Sequence, residues 1–214
     1  MKADGTILAR KFIDFTSDKD RMIHAMNRTR RKQSKYGPRS ATSLWAYVKR
    51  LNNNRAKKTA SAIVEFAAQN SVDVIVMEHL DFKCCKKRGS KAQKLSMWNH
   101  GAIRKCVEQK AHLRGIRIAT ICAWKTSALA FDGSGSVARD DNNHALATFT
   151  TGKQYNCDLS ASYNIGARYF IRELLKSLSA TEESRVKAKV PDVGRRTSCT
   201  LSTLRTLVKE LAAA

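Results

Sequence analysis

Two short runs of apolar, largely β-branched residues on either side of a helix-forming segment most constrain how this chain can fold. The first run, VDVIVM at 72–77, leads directly into Glu78, and the second, IRIATI, occupies 116–121. Their length and composition are typical of buried strands. A helix is predicted between them over 97–114, with Gly115 as its stop. A strand, a helix and a second strand in this order form a βαβ unit, so the sequence predicts parallel strands in a layered α/β fold.

The other segments add helices, one early strand and an irregular stretch to this unit. The Asp4-Gly5 turn introduces a strand predicted over 6–13. Ser17 and Asp20 resemble a capping box at the start of a basic helix. Further helices are predicted over 18–33, 42–70 and 157–178, and over a final stretch built on Leu201, Leu204, Leu207 and Leu211. The stretch 123–154 predicts a small inserted hairpin region, and the polar stretch 179–197 predicts a linker. The large side chains expected in the core include Trp98, Leu113 and Trp124.

Positive charge is far in excess of what a soluble surface needs. The 214 residues carry 40 Lys and Arg against 18 Asp and Glu, a net charge of +22, and residues 1–60 alone hold 16 basic and 4 acidic side chains. A single basic run is usually a solvated face, but clusters at 27–39, 51–58 and 83–94 favour a polyanion partner, which points to nucleic acid. The predicted phosphate contacts are Arg28, Arg30, Arg31, Lys32, Lys35, Arg39, Arg50, Arg55, Lys57, Lys58, Lys86, Lys87, Arg88 and Lys91.

The cysteines and the apolar runs argue against a secreted, membrane-bound or zinc-held protein. None of the six cysteines forms a C-x-x-C pair, so reduced thiols are expected and structural zinc is not. No apolar run approaches the roughly 20 residues of a membrane span, and residues 1–12 lack a signal-peptide stretch. The predicted location is the cytoplasm.

Two carboxylates stand where functional groups of α/β sheets are often found. Glu78 follows a buried strand, and Asp158 opens a helix after the irregular stretch. Carboxylates that converge in a basic groove can hold divalent metal ions against a phosphodiester. The alternative, equally supported by spacing alone, is that Glu78 merely ends a strand and Asp158 merely caps a helix.

The residues around both carboxylates resemble motifs of a known nuclease family. VDVIVMEHLDF at 72–82 is similar to the second RuvC motif of transposon-encoded TnpB (OrfB) nucleases, and CDLSASYNIGARYF at 157–170 is similar to their third. The stretch 123–154, with Trp-Lys-Thr-Ser at 124–127, resembles the family's target nucleic-acid-binding insertion. The resemblance covers most of 1–178. It implies a ribonuclease-H-like (RuvC) mixed sheet with flanking helices, and RNA-guided DNA cleavage as in the related type V CRISPR effectors. It also implies that Glu78 and Asp158 are catalytic ligands of Mg²⁺ or Mn²⁺.

Three departures from the family pattern modify that expectation. The family's first catalytic aspartate would precede the Asp4-Gly5 turn, so the chain is expected to be an N-terminally truncated portion that is inactive alone. The missing N-terminal half is a possible partner in trans. The insertion lacks the paired cysteines that hold zinc in relatives, and Ser160 replaces the asparagine of the family's D-x-N.

The predicted organisation follows from these motifs. Residues 1–121 form a partial RuvC-like domain with basic helices, 122–156 an inserted region with a degenerate zinc ribbon, 157–178 the final RuvC helix, and 179–214 a linker and C-terminal helix. The predicted function is a nucleic-acid-binding C-terminal fragment of an RNA-guided, metal-dependent DNA endonuclease, with guide RNA and target DNA as partners. The alternatives are a non-catalytic DNA- or RNA-binding or regulatory module, a transposon remnant, and a general basic protein associated with RNA, for example at the ribosome.

Overall fold

The chain forms two compact units. The computed structural model describes residues 1–80, 97, 99–195 and 197–213. The first unit, here called the mixed unit, contains the described residues of Met1–Arg10, Val76–Asp81 and Ala119–Ala214. The second, here called the helical unit, contains those of Lys11–Ile75 and Phe82–Ile118. Among the described helices, none combines the length and apolar character needed to cross a membrane.

Three helices build the helical unit. They are α1 (Thr16–Tyr36), α2 (Thr42–Gln69) and α3 (His100–His112), and a 3₁₀ turn at Pro38–Ala41 joins the first two. The predicted break after Tyr36 is confirmed, because Gly37 adopts φ 84° and Pro38 cannot continue the helix. The predicted capping box is wrong: α1 starts before Ser17, with Phe15 as an N-cap that makes no side-chain hydrogen bond.

The core of the helical unit follows a stripe of small side chains. Every fourth residue of α2 is buried over four turns, and these residues are Val48, Asn52, Ala56, Ala60 and Val64. Small side chains let α1 and α3 approach α2 closely, and those helices bury Met22, Thr29, Val107 and Ala111. Leu113 is 84% exposed, contrary to prediction, because α3 ends at His112 and the chain turns away there.

Two short strands carry the predicted βαβ pattern. Strands β1 (Val74–His79) and β2 (Arg117–Cys122) form a two-stranded sheet. The backbone N–H of Arg117 donates to the carbonyl of Asp73 at 2.9 Å, which joins the beginnings of both strands and shows that they run parallel. The mixed α/β class is therefore confirmed, and Glu78 lies inside β1 instead of directly after it.

The predicted N-terminal strand is not formed. The Asp4-Gly5 turn is present, with Gly5 at φ 83° and the N–H of Thr6 donating to Asp4 Oδ1 at 2.8 Å. Residues 6–13 continue as irregular backbone, and Leu8 and Phe12 are 58% and 66% exposed. A strand needs a hydrogen-bonding neighbour, and no strand within the described ranges pairs with this segment.

The inserted region contains a small antiparallel sheet. Strands β3 (Ala138–Arg139), β4 (Leu146–Thr148) and β5 (Gln154–Asn156) pair in chain order, with Ala147 opposite both Arg139 and Tyr155. An aromatic cluster covers one side of this sheet. Its edge-to-face pairs include Phe131 with Phe149 at 5.6 Å and Phe131 with Tyr163 at 5.2 Å between ring centroids.

Three helices complete the mixed unit. They are α4 (Cys157–Ser177), α5 (Ala180–Lys189) and α6 (Leu201–Ala212), with a 3₁₀ turn at Pro191–Gly194. The predicted linker is wrong over α5, because Ser179 and Glu182 form a capping box that starts a helix in a polar stretch. The turns of α5 and the 3₁₀ segment bury Val186, Val190 and Val193 in the core that holds Leu201, Leu204 and Leu207.

Polar side chains along α4 bind the backbone of β2 and of the loop after it. These side chains, here called the α4 polar stripe, are Asn164, Arg168 and Arg172. They donate to alternate carbonyls in reverse order: Arg172 to Thr120 at 2.9 Å, Arg168 to Cys122 and Trp124 at 3.1 and 2.7 Å, and Asn164 to Thr126 at 3.0 Å. The donor side chains are four residues apart on the helix, a rise of about 6 Å. Carbonyls two residues apart in a strand are about 6.6 Å from each other, so the two spacings match.

The same side chains also hold the start of α6. Arg168 donates through Nε to the carbonyl of Cys199 at 3.1 Å and through Nη2 to that of Thr197 at 2.7 Å. The N–H of Leu201 donates to Asn164 Oδ1 at 3.2 Å. Arg168 is only 6% exposed, and its burial lowers the pKa of the guanidinium. Its four carbonyl partners replace the water that this charge has lost.

We therefore expect Arg168→Met to lower the free energy of unfolding by about 3–5 kcal/mol, because it leaves four buried or partly buried carbonyls without a donor. Arg172→Met is the matched control. It removes one carbonyl bond from a side chain that is 33% exposed, and about 1 kcal/mol is expected. Urea unfolding followed by circular dichroism measures both losses. Equal losses in the two variants would contradict the special role of Arg168.

Candidate functional site

Glu78 is held by a threonine in the loop after β2. Its half-buried carboxylate accepts a hydrogen bond from Thr126 Oγ1 at 2.6 Å. The same hydroxyl lies 3.0 Å from the carbonyl of Ala123 and has one proton to donate. The shorter distance and the negative charge favour Glu78 as the acceptor. Glu78 Oε2 makes no hydrogen bond to any residue that the structure describes, so one oxygen remains available to a ligand.

Thr126 is itself fixed from two directions. It is 2% exposed, and its carbonyl accepts from Asn164 on α4. The preceding Lys125 adopts φ 59°, a left-handed conformation that costs a non-glycine residue about 1–2 kcal/mol. The orientation of Glu78 is therefore coupled to the α4 polar stripe through one buried threonine.

Asp158 lies in the first turn of α4, as predicted, and its side chain is exposed. The helix is capped by Asn156, whose side chain accepts from the N–H of Leu159 at 3.0 Å. The cap leaves the Asp158 carboxylate uncommitted at a helix N-terminus, where negative charge is favoured. Glu78 and Asp158 belong to the same unit, but no hydrogen-bonded group within the described part of the chain bridges them.

The carboxylate oxygens of Glu78 and Asp158 meet only part of what a hard divalent cation needs from its ligands. Carboxylate oxygens are the ligands that Mg²⁺ and Mn²⁺ prefer, and Glu78 and Asp158 each have oxygens free to coordinate. Across residues 1–80, 97, 99–195 and 197–213, however, no three His, Cys, Asp or Glu side chains are grouped closely enough to hold a metal. The described side chains thus provide an incomplete ligand set, and no catalytic step follows from their geometry.

Most of the predicted phosphate contacts are on the surface of the helical unit. Arg28, Arg31, Lys32 and Lys35 lie on one exposed face of α1, at helical spacings of three and four, and this set is here called the cationic face of α1. Arg30, Arg39, Arg50 and Lys57 are also exposed, while Arg55 is half-buried. Lys58 pairs with Asp18 at 2.6 Å, which partly neutralises it. The other predicted contacts, Lys86, Lys87, Arg88 and Lys91, lie outside the described residues.

The sequence did not identify Thr126, Asn164 and Arg168 as determinants of the site. A signal was present, because Ser160, Asn164, Arg168 and Arg172 recur every fourth residue and so share one face of the helix. Three of these residues donate to the backbone around the site, whereas the buried Ser160 hydroxyl has no hydrogen-bond partner among the described residues.

Trp124 differs from its prediction as a core residue. Its side chain is 64% exposed, although it is flanked by residues that α4 holds in place. The other tryptophan predicted in the core, Trp98, lies outside the described residues.

A cavity of about 680 Å³ opens beside the same strand end. Its apolar floor includes Ile121, Ile171 and Val193, and Cys199 also lines it. Burial raises the pKa of the Cys199 thiol to about 11, so this cysteine is protonated at neutral pH. A protonated thiol is a poor nucleophile and metal ligand, which makes Cys199 part of the core and not of the site.

Comparison with known proteins places the fold. No protein-family model matches the chain, and no curated protein matches it significantly. A solved structure described as the cryo-EM structure of the Cas12f1–sgRNA–target DNA complex is similar, with 18% sequence identity and a TM-score of 0.53. The alignment covers 74% of this chain and 44% of that chain, so the present chain spans less than half the length of Cas12f1. The relation to type V CRISPR effectors predicted from the sequence is thus supported at the level of the fold.

The bond between Thr126 and Glu78 can be tested by a double-mutant cycle. Thr126→Val removes the donor while keeping the shape, and we expect it to couple with Glu78→Ala by about 1–2 kcal/mol in the free energy of unfolding. Thr126→Ser keeps the hydroxyl and serves as the control, with the coupling preserved. Additive effects of Thr126→Val and Glu78→Ala in urea unfolding would show that the bond contributes nothing.

Proposed function

We propose that this chain is the nuclease-fold portion of an RNA-guided DNA endonuclease of the TnpB and type V kind, and that it binds nucleic acid. The likeness to Cas12f1 carries the proposal, because it covers 74% of the chain and that protein was solved with a guide RNA and target DNA. Guide RNA and target-strand DNA are accordingly the proposed partners. Such a protein would act in the prokaryotic cytoplasm, at the nucleoid.

The position of the two sequence motifs supports a RuvC-type, ribonuclease-H-like arrangement. The motif at 72–82 contributes Glu78 near the end of a strand, and the motif at 157–170 contributes Asp158 at the start of a helix. Thr126 orients the first carboxylate, and the cap at Asn156 leaves the second one free. We propose both as ligands of Mg²⁺ or Mn²⁺, an ion that would activate water and stabilise a leaving oxygen at a phosphodiester.

The division of charge supports phosphate binding by the helical unit. The described residues of this unit carry 19 Lys and Arg against 6 Asp and Glu, a net charge of +13. The described residues of the mixed unit carry 14 basic and 11 acidic side chains, a net charge of only +3. Phosphate binding gains its free energy from counterion release, which grows with the number of cations in contact. The cationic face of α1 is the proposed centre of this binding.

We further propose that the chain alone does not cleave DNA, because the motifs that it shares with the family supply only two of the catalytic carboxylates, Glu78 and Asp158. Two ligands hold an ion loosely, and the paired-ion chemistry of such nucleases needs more. The second candidate function is a non-catalytic DNA- or RNA-binding or regulatory module. The exposed position of Asp158, without a group that bridges it to Glu78 in the described residues, favours this alternative.

Binding should depend on salt, and most strongly through the cationic face of α1. Replacing Arg28, Arg31, Lys32 and Lys35 by Gln should reduce the slope of log K against log salt by up to about 2.8 on single-stranded DNA, since each phosphate that is no longer neutralised lowers it by about 0.7. Fluorescence anisotropy with a labelled oligonucleotide over a series of KCl concentrations measures this slope.

The control removes the same charge from the mixed unit, at Arg185, Lys187, Lys189 and Lys209. If the cationic face of α1 binds phosphates, this control keeps most of the wild-type slope. Equal slopes for the two quadruple variants, or a flat salt dependence of the wild type, would refute the assignment.

Nuclease assays address the catalytic part of the proposal. With Mg²⁺ or Mn²⁺, the wild-type chain should cut single- and double-stranded DNA no faster than Glu78→Ala or Asp158→Ala. Clear cutting that both substitutions abolish would instead mean that another carboxylate of this chain completes the site, with Asp4 and Asp73 the first to examine. Tight oligonucleotide binding without cutting is the result expected of both candidate functions for the chain alone.

A further inference from the structure

We propose that Trp124 is a stacking platform for an unpaired nucleobase beside Glu78, an inference that rests on the nucleic-acid binding proposed above. Burial of a tryptophan removes about 150–250 Å² from water in most proteins, yet Trp124 is 64% exposed. No ring stacking or cation–π contact covers it within the described part of the chain, whereas the exposed Tyr36 has the Lys35 ammonium 5.1 Å from its ring.

The backbone that carries this ring is fixed. The carbonyl of Trp124 accepts from Arg168 Nη1 at 2.7 Å, and the same nitrogen binds the carbonyl of Cys122 at 3.1 Å. Arg168 is buried on α4 and cannot follow a moving loop without breaking its bonds to Thr197 and Cys199. The exposed indole is therefore attached to one of the most constrained segments of the mixed unit.

The residues that follow also restrict the loop. Lys125 is held at φ 59°, and Thr126 is buried between Glu78 and Asn164. A left-handed non-glycine residue persists only where its surroundings over-determine it, and such positions are concentrated at functional sites. A rigid aromatic side chain loses little conformational entropy on binding, which is the property of a preformed contact surface.

Trp124 is two residues from Thr126, which binds Glu78, the proposed metal ligand. The Cα atoms of Trp124 and Thr126, two residues apart, are at most about 7 Å from each other. Thr126 Oγ1 is 2.6 Å from Glu78 Oε1. The exposed Lys125 between them supplies a cation for a neighbouring phosphate. An aromatic face beside a cation is the arrangement with which proteins hold single strands, and it tolerates any base sequence.

The experiment separates bases from phosphates. Wild type, Trp124→Ala, Trp124→Phe and Leu8→Ala are titrated with an oligo(dT) of about 12 nucleotides, within the site size of one single-strand-binding module, and with an oligonucleotide of equal length built of abasic sites. Leu8 is 58% exposed in the same unit and controls for loss of surface apolar area. Circular dichroism spectra and thermal unfolding midpoints of the variants should match those of the wild type, because neither side chain is buried.

Stacking predicts that Trp124→Ala weakens oligo(dT) binding by about 5- to 100-fold, the range of one base on one aromatic ring. Trp124→Phe should lose less than about 3-fold, since phenylalanine keeps a π-face, and Leu8→Ala should be unchanged. The abasic oligonucleotide should bind wild type and Trp124→Ala equally.

Unchanged oligo(dT) affinity of Trp124→Ala would overturn the proposal. An equal loss of affinity of Trp124→Ala for both probes would also overturn it. A change seen only in self-association, measured by sedimentation velocity, would overturn it too and would assign the ring to a protein interface. If the wild type binds neither probe, the nucleic-acid binding itself is refuted. That result differs from one in which the wild type binds both probes and Trp124→Ala binds them with the same affinity.

Discussion

The mixed unit depends on how one helix satisfies the free edge of a strand. β2 pairs with β1 on one side, and the carbonyls on its other side would be left without donors if α4 carried only apolar residues. Within β2, Arg172 donates to the carbonyl of Thr120 and Arg168 to that of Cys122. Arg168 also donates to three carbonyls outside the strand, at Trp124, Thr197 and Cys199. A buried guanidinium is costly, but here nearly all its donors are used, so the cost of its burial is offset by bonds that no aliphatic side chain could replace.

This arrangement has a functional consequence, because the satisfied backbone is also the loop that forms the site. Asn164 and Arg168 bind the carbonyls on both sides of Lys125, and this fixes Thr126 beneath Glu78 and leaves the Trp124 ring outside. The carboxylate and the aromatic ring are thus placed by the same two side chains. A substitution in α4 that never touches a ligand would still change both, and its effect on binding would be mistaken for a direct one.

The sequence predicted what depends on local pattern. Hydrophobic runs identified β1, β2 and the helices other than α5 to within a few residues, and the Glu78 and Asp158 motifs fell on the expected strand and helix. Features that depend on contacts with distant parts of the chain could not be predicted from local pattern. The segment 6–13 has the composition of a strand but no neighbour to pair with among the described strands. The polar composition of 179–197 favoured a linker, but the Ser179–Glu182 capping box starts helix α5 there. Buried Arg168 and exposed Trp124 reverse the usual pattern of burial. Arg168 is buried because four backbone carbonyls accept its hydrogen bonds, and one of these carbonyls belongs to Trp124.

Most of the positive charge belongs to the helical unit, whereas the candidate carboxylates Glu78 and Asp158 belong to the mixed unit. Electrostatic affinity for a polyanion grows with the number of cations in contact with phosphates, and the described residues of the helical unit hold 19 of the 40 Lys and Arg. The mixed unit holds Glu78, Asp158 and Trp124 but is nearly neutral, so it adds little to non-specific binding. The proposed metal site would gain from this, since fewer fixed cations would compete with a divalent ion for the oxygens of Glu78 and Asp158. Substitution of Glu78 and Asp158 would leave the cationic surface intact, so the phosphate binding proposed for the helical unit does not depend on the proposed metal ligands.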